Sequence, residues 1–258
     1  MSGRSEVGRI RRLASSSPRQ LARTAQTHSQ PIQVSHKATT MALAPQFATH
    51  RIAGTPDSEH TLDVYLDLIC PYSKKQLTGL RENVIPLIED GPLKGHLSVI
   101  VRQVPQSWHS SSTIVHEAAL GASKALVDSG KSFQDTEVKQ KWKDFFFKLM
   151  DGQEAFYDEP CANETPNQTR ERLADLAQSV GIDRAGFLKA ISVGKGNGGT
   201  AVTNDLKHQI RYHRGRSIHV TPTVALDGII EPSISSSFSK EDWNKFFEEK
   251  VLPPGSKL

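Results

Sequence analysis

Cysteine is scarce in this chain, with only Cys70 and Cys161 among 258 residues. They lie far apart and lack metal-ligand spacing, so no metal site is expected and the usage fits a reducing, intracellular compartment. No run of apolar residues approaches the roughly 20 that a membrane-spanning helix needs. The continuous apolar segment of a secretory signal is also missing. The sequons Asn163-Glu164-Thr165 and Asn167-Gln168-Thr169 therefore carry no expectation of glycosylation. Acid is nearly absent from the first 40 residues, where six Arg and one Lys face Glu6 alone for a net of +6. The remainder holds 25 basic and 27 acidic residues, a net of −2. The overall basicity thus belongs to the leader, and whole-chain charge gives no argument for a nucleic-acid partner.

That leader is rich in Arg and Ser, the composition of an organelle transit peptide and equally of a disordered basic tail. A mitochondrial destination follows from the first reading. Met41 offers an alternative start just before the folded region. Residues 1–58 are expected to lack a core, residues 59–250 to form one domain, and residues 251–258 to form a flexible tail. The tail ends in Ser256-Lys257-Leu258, a peroxisomal address read by an import receptor. Pro253, Pro254 and Gly255 are expected to hold that address away from the domain.

Within the body, "TLDVYLDLI" (61–69) is rich in β-branched and aromatic residues and partly alternates, which predicts a strand. "YSKKQLTGLRENVIPLIED" (72–90) has helical spacing with a break at Pro86. "HLSVIVRQV" (96–104) predicts a buried strand, completing a right-handed β-α-β unit with parallel strands. Residues 110–217 read as a helical block. It includes an aromatic stripe of Trp142, Phe145, Phe146 and Leu149, and a helix start at Thr165-Pro166-Asn167-Gln168. "GKGNGG" (194–199) departs from the phosphate-cradle pattern and reads as a connector. After the block, Thr223–Leu226 reads as a strand, Asp227-Gly228 is a hairpin signal, and Ser239 opens a final helix. The fold class is α/β, with the order β-α-β, helical insertion, β-β-α.

"CPYS" (70–73) and "VTPT" (220–223) carry the chemistry. Cys70 would stand just before the first helix, where free backbone N–H groups and the positive dipole end stabilise a thiolate, the nucleophilic form. Pro71 suits the first helical position, and Ser73 would bring a hydroxyl toward the sulfur. The alternative for Cys70 is an inert buried thiol. These two motifs, with "QVPQSWHSSSTIVHEAALGAS" (103–123), resemble the DsbA-type thioredoxin fold. That superfamily includes disulfide oxidoreductases, 2-hydroxychromene-2-carboxylate isomerases and kappa-class glutathione transferases.

The resemblance implies that Cys70 is the nucleophile. Ser73 falls where the oxidoreductases keep a second cysteine and where the transferases, with S-P-Y-S, keep a serine. It implies a cis bond before Pro222 and a substrate-pairing role for Thr221, with Pro71 and Tyr72 beside the bound group. A lone thiol in the turn cannot resolve a mixed disulfide internally, so glutathione is implied as co-substrate. The expected activities are monothiol disulfide exchange or kappa-like glutathione transfer. The alternatives are a glutathione-dependent isomerase of small aromatic compounds and a non-catalytic peptide-binding module. Cys161 is a distant candidate resolver.

His109 is a candidate to tune or deprotonate the thiol, or a simple loop cap. The basic cluster His208, Arg211, His213, Arg214, Arg216 and His219 suits an anionic group such as the carboxylates of glutathione or the phosphates of a coenzyme A ester. It equally suits a solvated helix C-terminus. Whether two copies of the chain pair is left open.

Overall fold

The computed structural model describes residues 43–258, and the expectations for residues 1–42, including the alternative start at Met41, fall outside the described residues. The described part begins with a 3-10 turn, Pro45–His50, and the short strand β1, Arg51–Ala53. Residues 43–58 were expected to lie outside any core, yet Phe47, Ala48, Thr49 and His50 are buried and β1 pairs antiparallel with the strand β3, Leu97–Gln103. The segment has too few apolar residues to signal a core by itself. Its burial comes from surfaces supplied by distant helices, Phe47 packing with Leu120, Val202 and Leu206.

The β-α-β unit forms as read. Strand β2, His60–Leu66, runs parallel to β3 with Leu62 opposite Val99 and Val64 opposite Val101. Between them lie α1, Pro71–Asn83, and α2, Ile85–Glu89. The break falls at Val84, with Pro86 in the first turn of α2, where its missing N–H costs nothing. Strand β4, Thr223–Leu226, pairs antiparallel with β2, and β5, Ile229–Ile230, closes the hairpin at the edge. Asp227 and Gly228 both have positive φ, 50° and 82°, as a two-residue hairpin turn of the type I′ class requires. The sheet order is β1-β3-β2-β4-β5.

The insertion comprises α3 (Ser112–Val127), α4 (Thr136–Asp151), the short α5 (Asp158–Cys161), α6 (Pro166–Gln178), α7 (Arg184–Ile191) and α8 (Thr203–Arg214). The aromatic stripe of α4 is wholly buried, and Trp142 Nε1 donates to Ala119 O at 2.8 Å. Helix α6 starts on a capping box between Thr165 and Gln168, and α9, Lys240–Lys250, on one between Ser239 and Asp242. Leu62, Val64, Leu66, Val99 and Val101 face the main apolar core. The alternate residues Asp63, Tyr65 and Arg102 face the other way, and Tyr212 of α8 lies over them. Both faces of β2 and β3 are thereby covered.

The chain end does not stand away from the domain as expected. Gly255 at φ +90° turns it back, so that Lys257 Nζ meets Glu248 Oε2 at 2.7 Å and Leu258 N–H donates to Glu248 Oε1 at 2.8 Å. Leu258 is half-buried against the core.

Candidate active site

The site forms where β2 ends. Beyond Leu66 the chain turns through Asp67–Ile69, and Cys70 N–H closes the turn on Asp67 O at 3.1 Å. Cys70 is the N-cap residue of α1, its backbone extended and its side chain free of any capping bond. Its carbonyl accepts the first intrahelical bond from Lys74 N–H at 3.1 Å. The thiol is thus held at the positive end of a 13-residue helix. It is 7% exposed. The thiol Sγ donates to Thr221 O at 3.7 Å, and the Thr221–Pro222 peptide is cis. Two motifs 151 residues apart therefore meet at the sulfur.

Other predicted residues divide. Tyr72, 64% exposed, and Pro71 lie on the outer side of the turn. Ser73 is buried in α1, and its hydroxyl makes no hydrogen bond, to the sulfur or to any other group. Sequence spacing brought it near the thiol, but the helix turns the hydroxyl inward. His109 Nδ1 lies 2.6 Å from Asp67 Oδ2. Cys161 sits in α5 as a free thiol, which burial pushes up. The basic cluster does not converge. His213 is buried against Ile218 O, His208 packs on Phe47, His219 bonds Ser217 O, and the Arg216 guanidinium lies 3.8 Å from the Tyr212 ring centre. Among the described residues, no group of three or more His, Cys, Asp and Glu is placed to hold a metal ion.

Several residues at the site gave no sequence signal. Asp67 is completely buried beneath the turn and accepts from Ser112 Oγ at 2.6 Å, while His116 Nε2 lies 3.1 Å from the same oxygen. Burial raises the Asp67 carboxyl, but the bonds from His116, Ser112 and His109 outweigh it, and the net position is below the ordinary carboxylate range. Behind His116, the buried Gln103 and His50 continue the chain of polar groups. Gln106 ties the His109 loop to the Pro222 segment through Thr221 Oγ1 at 3.4 Å and His219 O at 3.2 Å.

The segment between α4 and α5 makes the remaining wall. Gln153 donates to Leu68 O and accepts from the Tyr157 hydroxyl, both at 2.9 Å. Lys74 of α1 reaches back to Asp151 O and Glu154. Burial, Glu154 and the nearby Cys70 all push the Tyr157 hydroxyl up. A cleft of about 470 Å³ opens next to the thiol turn, between Pro71, Lys74 and Lys75 on one side and Glu154, Ser237 and Phe238 on the other. Tyr72 in the first turn of α1, and Trp108 and Val220 on the loops before α3 and β4, are 64%, 65% and 59% exposed.

A helix-capping thiol facing a cis-proline segment, on a sheet of this order with a helical insertion, defines the DsbA-type thioredoxin-like class. No protein-family model and no curated protein matches the sequence. Solved structures do. A Pseudomonas syringae protein described provisionally as a protein-disulfide isomerase matches at 20% identity and TM-score 0.57, over 76% of this chain and 97% of that one. Bacillus subtilis BdbD, in its oxidised form, matches at 17% and 0.50, over 80% and 94%. Chlamydia trachomatis DsbA matches at 16% and 0.50, over 76% and 87%. At these identities the likeness establishes the fold, which is thioredoxin-like and of the DsbA type.

Proposed function

We propose that the protein is a thiol–disulfide exchange enzyme acting through the single thiol Cys70, with glutathione as the outside thiol. The observation that carries this reading is the meeting of Cys70 Sγ, at the N-cap of α1, with Thr221 O. The helix end favours the thiolate, and the Pro222 segment offers backbone beside the sulfur for a disulfide-bearing peptide to pair with. The Cys70 thiolate attacks one sulfur of a substrate disulfide. The old S–S bond breaks, the departing thiolate takes a proton, and a mixed disulfide on Cys70 remains. A glutathione thiolate then attacks the substrate-side sulfur of the mixed disulfide, carries it away as a glutathione–substrate disulfide, and releases the Cys70 thiolate.

The cleft beside Pro71 supports the glutathione part. It brings Lys75, bound to Ser237 Oγ at 2.8 Å and in no ion pair among the described residues, within the surroundings of the thiol turn. A serine at position 73 in place of a second thiol favours a further reading, in which Cys70 and the helix end hold a glutathione thiolate for transfer or for isomerisation of a small aromatic substrate. The exposed Tyr72, Trp108 and Val220 also suit a module that only binds peptides.

Cys70→Ser in the full chain separates these. On a Cys161→Ala background, glutathione disulfide should add one glutathione to Cys70 by mass, and with reduced glutathione as the reductant the protein should reduce a model disulfide catalytically; Cys70→Ser should do neither. Transferase activity kept by Cys70→Ser would move the conclusion to the transfer reading. Absence of any adduct on the wild type would leave the binding module.

We also propose that Ser256-Lys257-Leu258 directs the protein to peroxisomes, with release of Lys257 and Leu258 from Glu248 needed for receptor capture. An amino-terminal fluorescent fusion should be punctate with peroxisomes and turn diffuse when residues 256–258 are removed. A mitochondrial pattern for the untagged amino terminus would point to the leader instead.

A further inference from the structure

The polar chain beneath the thiol has a direction that hydrogen-bond chemistry fixes. Burial, with help from Arg102 and His116, pushes the His50 imidazole down to about 3, so this ring is neutral. A bond to the Phe47 backbone holds one ring nitrogen, and His50 Nε2 stands 3.0 Å from Gln103 Nε2. The amide must donate there, which leaves Gln103 Oε1 as an acceptor for His116 Nδ1–H at 3.1 Å. His116 Nε2 then accepts Leu68 N–H at 3.3 Å and lies 3.1 Å from Asp67 Oδ1, to which Ser112 Oγ donates at 2.6 Å. Only Asp67 Oδ2 remains, and it accepts Nδ1–H of His109 at 2.6 Å. Every other member of the chain is buried, whereas His109 reaches the surface. Its Nε2 makes no hydrogen bond among the described residues and carries the free lone pair.

The loop that bears His109 is bonded to both walls around the sulfur. On one side Asp67 holds its ring and also takes the Cys70 N–H. On the other, Gln106 holds Thr221, whose carbonyl accepts from the thiol. The charged and titratable groups recorded around the imidazole are Asp67 of the β2–α1 turn, His116 of α3 on the same carboxylate and Asp158 of α5. The Asp158 carboxyl is held down first by Ser110, and His109 adds to that.

We infer that His109 Nε2 is the proton carrier for exchange at Cys70, with Asp67 as its positioning residue. The inference rests on the reading of Cys70 as the exchanging thiol. His109 takes the proton of the Cys70 thiol, directly or through one water, giving thiolate and imidazolium. The thiolate pair forms the new S–S bond while the pair of the broken S–S bond leaves on the departing sulfur. The imidazolium returns its proton to that sulfur, so a neutral thiol departs and His109 is neutral again. The fixed Nδ1–H on Asp67 keeps Nε2 as the base in every cycle, as in nucleophile–base–orienter arrangements generally.

The test uses the full chain carrying Cys161→Ala, with glutathione disulfide as the probe and mixed-disulfide formation on Cys70 read by mass against pH. His109→Gln changes a half-buried loop residue, and an unchanged melting temperature confirms folding. It should slow exchange on the order of 100-fold at pH 7. The deficit should shrink toward about threefold by pH 10, where an unaided thiol ionises in water. Imidazole in the medium should restore part of the rate to His109→Gly. A His109→Gln profile that superimposes on the wild type, while Cys70→Ala is inactive, overturns the inference and leaves the exchange reading standing. A loss equal at all pH values and insensitive to imidazole also overturns it, because that is how a merely structural histidine behaves. Exchange surviving in Cys70→Ala would instead overturn the reading on which the inference rests.

Discussion

Asp63 and Asp67 lie four residues apart, one inside β2 and one just past its end, and neither has measurable exposure. Their carboxyls are displaced in opposite directions. Burial raises Asp63, and Arg102, bonded at 2.8 Å, offsets that only in part. Asp63 Oδ2 and Arg102 Nη2 are left without partners. Asp67 meets the same desolvation but collects donors on both oxygens from the His109 loop and α3, and ends below the ordinary range. The difference teaches that burial does not set the charge of a carboxylate. The number of donors that converge on it does. One guanidinium under Tyr212 makes a packing feature of the sheet face. Two histidines and a hydroxyl beneath the thiol turn make an organised acceptor.

The sharpest way to break this comparison is to remove each acceptor. Asp67→Ala strands the Ser112 hydroxyl and the His109 Nδ1–H and should cost about 3–5 kcal/mol in urea unfolding at pH 7. A cost below about 1 kcal/mol would show that the cluster is satisfied by water and is not organised by Asp67.

Acid titration sharpens the comparison next. His50 is neutral when folded, with its value lowered to about 3, but takes a proton below about 6.5 when unfolded. Stability should therefore fall as pH drops from about 6.5 toward 3, by on the order of 4–5 kcal/mol from this residue alone. Asp67, with a depressed folded value, stabilises above the unfolded value of about 3.9 and loses that contribution as pH falls further. Asp63 acts with the opposite sign, because its folded carboxyl takes a proton at higher pH than its unfolded one. Urea unfolding between pH 7 and 3.5 should show a flatter slope in His50→Gln than in the wild type. An unchanged slope would mean that His50 is charged in the fold.

The smallest effect is expected where both members of the sheet-face pair are exchanged. Asp63→Leu with Arg102→Met should stay within about 1 kcal/mol of the wild type, whereas Asp63→Leu alone should cost about 3 kcal/mol by leaving a buried guanidinium unpaired. A joint replacement as costly as Asp67→Ala would erase the distinction between the two sites.

Cys70, Pro71 and Pro222 were legible in the sequence because a thiol before a helix, a proline at its first position and a proline entering a hairpin are local signals. Ser73 was legible as a residue but not as a geometry, since spacing says nothing of which way a hydroxyl turns inside a packed helix. His109 was visible only as one of two uses for a loop histidine. Asp67, His116, Gln103 and His50 were invisible. A single acid at the end of an apolar run, a histidine within an amphipathic helix and a glutamine in a strand each read as ordinary. The basic run at 208–219 shows the reverse error, because residues close in sequence are spread by α8 and the turn after it onto different surroundings.

By itself the sequence determined the local punctuation: the capping boxes at Thr165 and Ser239, the break before Pro86, the turn at Asp227-Gly228 and the thiol at the start of α1. Each is decided by groups within about four residues, which interact in almost any compact state of the chain. Only the tertiary structure decided that His109 and His116 share Asp67 across separations of 42 and 49 residues, that Gln103 reaches His50 across 53, and that Thr221 faces Cys70 across 151. Those meetings depend on which surfaces the core brings together, and the energy that holds them comes from burying the whole sheet rather than from the residues that meet.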